Sequence, residues 1–134
     1  MSGQRNLKAD RIRLLLVDDE EGYVNILANR LSRRGMDVQK ALSGAQALQR
    51  IRNQIFDVVV LDLKMEGMNG LEVLRIFKQM DEKMEVIMLT GHGSQDTARD
   101  ALAMGAFDYL TKPCELDELL EKIREAYAHK KQLR

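Results

Sequence analysis

The sequence predicts an α/β domain in which helices cover both faces of a parallel β-sheet. Short apolar runs alternate along the chain with segments whose apolar residues recur at helical spacing, and this alternation repeats five times. The chain has 134 residues, a length that fits one domain. Strands that alternate with helices in this way pair in parallel, because each helix carries the chain back across the sheet.

The first two strand–helix units are visible in the residues themselves. The run from Ile12 to Val17 is apolar and stops at Asp18, as expected of a short buried strand. An apolar stripe with helical spacing comes next and Gly35 ends it; the stripe consists of Val24, Leu27, Ala28 and Leu31. Residues 36–42 are a weaker strand candidate. Ser43 and Gln46 match a capping box, which predicts that a second helix begins there.

The remaining three units follow the same alternation. The predicted strands cover residues 57–61, 85–89 and 107–110. The predicted helices cover residues 71–79 and 94–104, and an apolar stripe over 116–127 predicts the last one. We therefore assign residues 1–10 to a flexible leader, 11–128 to the folded domain and 129–134 to a basic C-terminal tail.

Composition excludes several classes of protein. Lys and Arg together number 21, as do Asp and Glu, so the balanced charge offers no footprint for nucleic acid or an anionic membrane. One cysteine cannot form an internal disulfide. No apolar run is long enough to span a bilayer, and the polar N-terminus lacks the apolar segment of a secretory signal. We expect a cytoplasmic protein without a nucleic-acid or membrane partner.

Polar side chains gather where four of the five predicted strands end. Asp18 and Asp19 follow the first strand and Asp62 follows the third. Thr90 comes at the end of the fourth and Lys112 just after the fifth. The carboxyl ends of parallel strands meet at one edge of the sheet, where ligands bind. The sequence therefore predicts carboxylates, a hydroxyl and an ammonium group in one place.

Carboxylates that lie this close together need a cation. Two of them about 4 Å apart repel by roughly 4 kcal/mol at an effective dielectric constant near 20. An all-oxygen set without His or Cys suits Mg²⁺. A phosphoryl group would complete the site, since the metal and Lys112 would neutralise its oxygens, Thr90 would donate to one, and Asp62 could attack the phosphorus.

Each of these residues also has an ordinary structural explanation. Asp18 and Asp19 could cap the first helix, and Asp62 could serve a turn. Thr90 and Lys112 are unremarkable at strand ends. Their occurrence at the same end of four strands is what favours a functional site.

Four stretches of the chain resemble the receiver domains of two-component response regulators. They are LLLVDDEEGY, DVVVLDLKMEGMNG, VIMLTGHGS and GAFDYLTKP, in the order and at the spacing of that family. The resemblance extends over residues 12–128. It implies a flavodoxin-like (βα)5 three-layer sandwich with a five-stranded parallel sheet of order 2-1-3-4-5.

The resemblance implies a role for each residue of the predicted cluster. Asp62 corresponds to the phosphoacceptor and Lys112 to the lysine that binds the phosphoryl group. Thr90 corresponds to the switch hydroxyl, and Tyr109 to an aromatic residue that changes rotamer with it. Mg²⁺, or Mn²⁺, would be held by Asp18, Asp19, Asp62 and the backbone carbonyl of Lys64.

The resemblance also implies features of the surrounding loops. Lys64 and His92 stand at positions that tune the lifetime of the phosphoryl group in this family. The Lys112–Pro113 peptide bond is expected to be cis. Glu66 departs from the family, which very often has proline at this position, so the loop after Asp62 loses a constraint on φ.

The implied function is signal transduction. A sensor histidine kinase or a histidine phosphotransfer protein would transfer a phosphoryl group to Asp62 and so change the face formed by the fourth helix, the last strand and the last helix. That face is also a candidate homodimer interface. The domain is expected to be a phosphoacceptor and not an enzyme, apart from catalysing its own phosphorylation and dephosphorylation, with an output such as transcription regulation carried elsewhere.

Two other functions are compatible with the same fold. A flavodoxin-like flavin or nucleotide-binding module would need a glycine-rich phosphate loop where this chain has the acidic segment 18–21. An aspartyl phosphohydrolase would need a carboxylate where Lys64 stands, and a cap domain. Both are less well supported than the receiver.

Overall fold

The central sheet has five parallel strands, and four of them end at the predicted site. The computed structural model describes residues 11–91 and 95–133, without the side chain of Met68. The strands are β1 (Arg13–Val17), β2 (Asp37–Ala41), β3 (Val58–Leu61), β4 (Glu85–Thr90) and β5 (Asp108–Thr111). Their order is β2-β1-β3-β4-β5, so the predicted fold and the predicted strand order are confirmed.

Helices cover both faces of the sheet and make it the middle layer of three. They are α1 (Glu21–Arg33), α2 (Gly44–Asn53), α3 (Gly70–Met80), α4 (Gln95–Ala103) and α5 (Leu116–Gln132). Leu14 and Leu16 of β1 belong to the core beneath α1 and α5, whereas Leu15 and Val17 belong to the core beneath α2, α3 and α4. Because both faces are buried, the inner strands are apolar at nearly every position.

At the beginning of α2, the observed hydrogen bonds agree closely with the predicted capping box. Ser43 is the N-cap, and its side-chain oxygen accepts a hydrogen bond from the Gln46 N–H at 3.1 Å. The Gln46 side chain accepts in return from the N–H of Leu42, at 2.9 Å. The reciprocal bond of the capping box therefore reaches one residue further back than the N-cap itself.

A short hairpin after β3 was not predicted. Lys64–Met65 pairs antiparallel with Met68–Asn69, and Gly67 at the tip has φ of 82°. Two-residue strands are too short for any periodicity to reveal them. The hairpin shapes the loop that follows Asp62.

Helix α5 continues into the segment that was expected to be a tail. The Lys130 ammonium lies 2.7 Å from Asp57, and His129 contacts Glu85. Both carboxylates are buried at the amino ends of β3 and β4. These contacts join the last turns of α5, which ends at Gln132, to the sheet. The predicted leader, residues 1–10, lies outside the described residues.

Over residues 11–91 and 95–133, none of the helices is both long enough and apolar enough to cross a bilayer.

Candidate functional site

The sheet itself brings the ends of its strands together. The Asp62 N–H donates to the Val17 carbonyl at 2.9 Å, which places the residue after β3 beside the end of β1. The Lys112 N–H donates to the Thr90 carbonyl at 2.9 Å and links the ends of β5 and β4 in the same way. The predicted cluster at the carboxyl edge thus follows from strand register.

The Lys112 ammonium is the electrostatic centre of the site. Its Nζ lies 2.6 Å from Asp18 Oδ2, 3.3 Å from Glu20 Oε1 and 3.8 Å from Asp62 Oδ2. Asp18 and Asp62 are only 5% and 4% exposed. One partly buried cation therefore faces three carboxylates, and the negative charge exceeds the positive charge.

The pKa values reflect this imbalance. Burial raises the pKa of Asp18, and the hydrogen bond from Lys112 opposes the rise without cancelling it. Burial would lower the pKa of Lys112, but its hydrogen bond to Asp18 and the nearby carboxylates outweigh this effect, so the pKa is raised. Lys112 is consequently charged at neutral pH, and the site favours additional positive charge.

Asp62 is buried yet held in a defined orientation. Its Oδ1 accepts a hydrogen bond from the Lys64 N–H at 3.4 Å, while its Oδ2 faces Lys112. A carboxylate fixed in this way beside an ammonium group is suited to attack an electrophile whose own negative charge the ammonium neutralises.

The donor atoms fit a small, hard divalent cation. Asp18, Glu20 and Asp62 each offer one carboxylate oxygen, and these oxygens lie within 4.8 Å of one another. An all-oxygen set of this kind is what Mg²⁺ prefers. Asp19 was predicted to be a metal ligand, whereas Glu20 was not. In the structure the Asp19 side chain instead accepts a hydrogen bond from the Glu66 N–H at 3.0 Å.

The two predicted switch residues lie on neighbouring strands. Thr90 is fully buried at the end of β4. Tyr109 of β5 is partly buried, and its buried hydroxyl has no hydrogen-bond partner in the described parts of the chain. Burial raises the pKa of Tyr109, and the charge of Asp62 adds to the effect. His92 lies outside the described residues, so its assigned role stays a prediction.

Tyr23 is a site residue that the sequence analysis missed. The Lys112 Nζ lies 4.5 Å from the centre of its ring, within the range of a cation–π contact. Tyr23 is on the first turn of α1, two residues after the acidic segment 18–21, and side chains on a helix lean toward its N-terminus, here toward the end of β1. This position on the first turn of α1 was the sequence signal that could have placed Tyr23 at the site.

Comparison with known proteins identifies the arrangement. Residues 14–124 match the family described as the response regulator receiver domain. The chain belongs to that family. This receiver domain is 39% identical over 120 residues to the transcriptional regulatory protein ZraR of Escherichia coli (strain K12). The match covers 90% of this chain and 27% of ZraR, so the chain spans about a quarter of that relative's length.

Solved structures of other receivers have the same fold. A CheY-like receiver domain protein from Methanospirillum hungatei JF-1 has a TM-score of 0.88 at 30% identity, covering 92% of this chain and 98% of that one. The beryllofluoride-activated NtrC4 receiver domain dimer has a TM-score of 0.84 at 34% identity, covering 88% of this chain and 98% of that one. The cis Lys112–Pro113 bond expected from the family resemblance is present in this receiver domain.

Proposed function

We propose that this receiver domain accepts a phosphoryl group on Asp62 from a sensor histidine kinase or a histidine phosphotransfer protein. One observation carries the proposal: a buried Asp62 carboxylate is oriented by the Lys64 N–H and faces the Lys112 ammonium at the carboxyl edge of the sheet. The domain acts as a cytoplasmic signalling phosphoacceptor, and its only catalysis is that of its own phosphorylation and dephosphorylation.

The proposed step is an in-line displacement at phosphorus. An Asp62 oxygen forms the new P–O bond, the P–N bond to the donor histidine breaks, and the leaving imidazole takes up a proton. Lys112 neutralises the phosphoryl oxygens, and the Thr90 hydroxyl donates to one of them. In the structure Lys112 is closest to Asp18, so it has to shift from that carboxylate toward the incoming group.

A divalent metal, Mg²⁺ or Mn²⁺, belongs to this proposal. Asp18 and Asp62 would hold it, together with the Lys64 carbonyl and one of the neighbouring carboxylates, Asp19 or Glu20. Such an ion would neutralise charge that develops on the transferring phosphoryl group.

Phosphorylation would be read out on the face formed by α4, β5 and α5. An acyl phosphate adds a charge of about −1.5 to −2 at Asp62. Thr90 would move toward it, and Tyr109 would occupy the space released. The similarity to a receiver described as a beryllofluoride-activated dimer supports pairing of two copies after activation. Lys64 and His92 would set the lifetime of the acyl phosphate.

The output lies outside this domain. The relatives are named as transcriptional regulatory proteins, and this chain matches about a quarter of ZraR. We infer that the receiver controls a transcription-regulating partner or further domain, without binding nucleic acid itself.

The experiment is phosphorylation by acetyl phosphate with Mg²⁺, followed by intact mass measurement. We expect the mass increase of one phosphoryl group, which D62N should abolish because an amide is not a nucleophile here. D37N is the matched control, since Asp37 is exposed on β2 at the opposite end of that strand from the site, and it should be phosphorylated like the wild type.

Two results would contradict the proposal. Phosphorylation of D62N at the wild-type rate would place the acceptor elsewhere. A yellow preparation with bound flavin and no phosphorylation would instead support the flavodoxin-like binding module.

A further inference from the structure

The contact between Asp19 and Glu66 joins two loops of the site that are far apart in the chain. The Glu66 N–H donates to Asp19 Oδ2 at 3.0 Å across 47 positions of sequence. Asp19 belongs to the acidic turn after β1, and Glu66 lies between the two short strands of the hairpin after β3. The donor is a backbone N–H. Every residue type except proline would supply it at position 66.

The turn at residue 66 would accept proline. Met65 pairs with Met68, so Glu66 and Gly67 are the two central residues of the turn. Gly67 has φ of 82°, as the third residue of a type II turn requires, and none of the described non-glycine residues has a positive φ. Proline is common at the second residue of that turn. Proline at position 66 would thus keep the turn and remove the N–H together with the Glu66 side chain.

That N–H holds Asp19 apart from the other carboxylates. The oxygens of Asp18, Glu20 and Asp62 lie within 4.8 Å of one another, and Asp19 is not part of that group. Ligands at about 2.0–2.1 Å from one Mg²⁺ have to come closer together than this. If Asp19 is to share the ion with Asp18 and Asp62, its carboxylate has to move toward them, and the bond that its Oδ2 accepts from the Glu66 amide opposes that movement.

We propose that the Glu66 amide acts as a latch on Asp19: the hydrogen bond holds the carboxylate away from Asp18 and Asp62 and opposes its movement toward a bound metal ion. The latch weakens binding of the divalent cation to the unphosphorylated receiver, compared with the same chain carrying proline at position 66. Glu66 is therefore a positioning residue that acts through Asp19. The inference rests on the proposed function, because it concerns the metal used there.

The test compares two variants by calorimetric titration with Mg²⁺, without any phosphodonor. E66P removes the N–H, whereas E66A keeps it and removes the same side chain and charge. We expect E66P to bind Mg²⁺ about three- to tenfold more tightly than E66A, the factor that corresponds to one net hydrogen bond. Circular dichroism melting of both variants checks that each is folded.

A second measurement uses the wild-type chain and needs no variant. The Glu66 amide proton is followed by ¹⁵N-resolved NMR during the Mg²⁺ titration. We expect its resonance to move upfield as the carboxylate acceptor departs, in step with metal binding.

The outcomes separate this inference from the proposed function. Binding of Mg²⁺ with equal affinity by E66P and E66A, or more weakly by E66P, overturns the latch and leaves the phosphoacceptor proposal standing. An unmoved Glu66 amide at saturating Mg²⁺ also overturns it. Absence of Mg²⁺ binding by all three proteins overturns both the latch and the proposed metal requirement.

Discussion

At the scale of single residues, the position of the Lys112 ammonium group depends on neighbours of two kinds. Three carboxylates attract its ammonium group, and the ring of Tyr23 lies 4.5 Å from it. The aromatic face adds attraction without adding charge. It limits the positions open to the lysine while leaving the balance of acids and bases unchanged, so Tyr23 should help to keep Lys112 where a phosphoryl group arrives.

Replacing Tyr23 tests this role. We expect Y23L to slow phosphorylation of Asp62 by acetyl phosphate about two- to fivefold, because a cation–π contact contributes about 0.5–1 kcal/mol at a partly exposed site. Y23F retains the ring and should keep nearly the wild-type rate. A rate as slow in Y23F as in Y23L would assign the effect to the hydroxyl group and not to the ring.

At the scale of secondary-structure elements, the loop between β3 and α3 is folded tightly on itself. The Gly70 N–H donates to the Leu63 carbonyl at 2.7 Å, which closes the loop just before α3 begins. A Cβ atom on Gly70 would come within 2.4 Å of that carbonyl oxygen and 2.5 Å of the Leu63 Cα. Only glycine allows this approach, and the approach in turn sets the position of the segment that follows Asp62.

Replacing Gly70 or Gly22 by alanine should therefore change the free energy of unfolding in opposite directions. We expect G70A to lower the free energy of unfolding by about 1–3 kcal/mol, because backbone atoms have to move apart. G22A lies on α1, where a new Cβ meets nothing within 4 Å, and should raise it by about 0.5–1 kcal/mol through higher helix propensity.

Urea unfolding of both variants measures the difference. A stable G70A protein with an unchanged midpoint would mean that the loop opens at little cost. That result would contradict the requirement for close approach.

At the scale of the whole molecule, the two edges of the sheet use buried charge in different ways. At the carboxyl edge the carboxylates outnumber the cation, which suits a site for a metal and a phosphoryl group. At the amino edge Asp57 is fully compensated: Arg13 donates to both its oxygens at 3.1 and 2.9 Å, and Lys130 of α5 lies 2.7 Å away. This second cluster of Asp57, Arg13 and Lys130 joins the end of α5 to the sheet and so stabilises the fold.

The stability of the fold should depend on Asp57 in a predictable direction with pH. Burial by itself would raise the pKa of Asp57, but the hydrogen bonds from Arg13 and Lys130 outweigh it, and the pKa falls below the ordinary value of 3.8. The ionised carboxylate therefore stabilises the fold above that value and loses its contribution as the pH falls through the folded-state pKa.

The variant D57N should be less stable than the wild type, and the difference should depend on pH. We expect its free energy of unfolding at neutral pH to be about 1–3 kcal/mol below that of the wild type, because two cations lose a charged acceptor. The difference should narrow in urea titrations repeated down to about pH 3. D37N removes an exposed carboxylate and should show neither effect, while a difference for D57N that is constant with pH would contradict the assignment to ionised Asp57.

Most of the architecture could be predicted from local pattern. Five apolar runs alternate with helical stripes, and both faces of a central strand such as β3 are buried, so its sequence is apolar throughout. Residues that follow such strands must meet at one edge of a parallel sheet. For this reason the sequence pattern predicts that Asp18, Asp62, Thr90 and Lys112 lie together, and the structure does bring them together.

The layer order and the residue types at the site therefore follow from local sequence pattern alone. Which side chains of the acidic turn contact Lys112 depends on the tertiary structure. Glu20 joins Lys112 across 92 positions of sequence, whereas Asp19 turns away to the Glu66 amide across 47. Local propensity carries no information about such partners, because the position of each loop is set by the packing of elements distant in the chain. The geometry of the candidate metal site arises at that level.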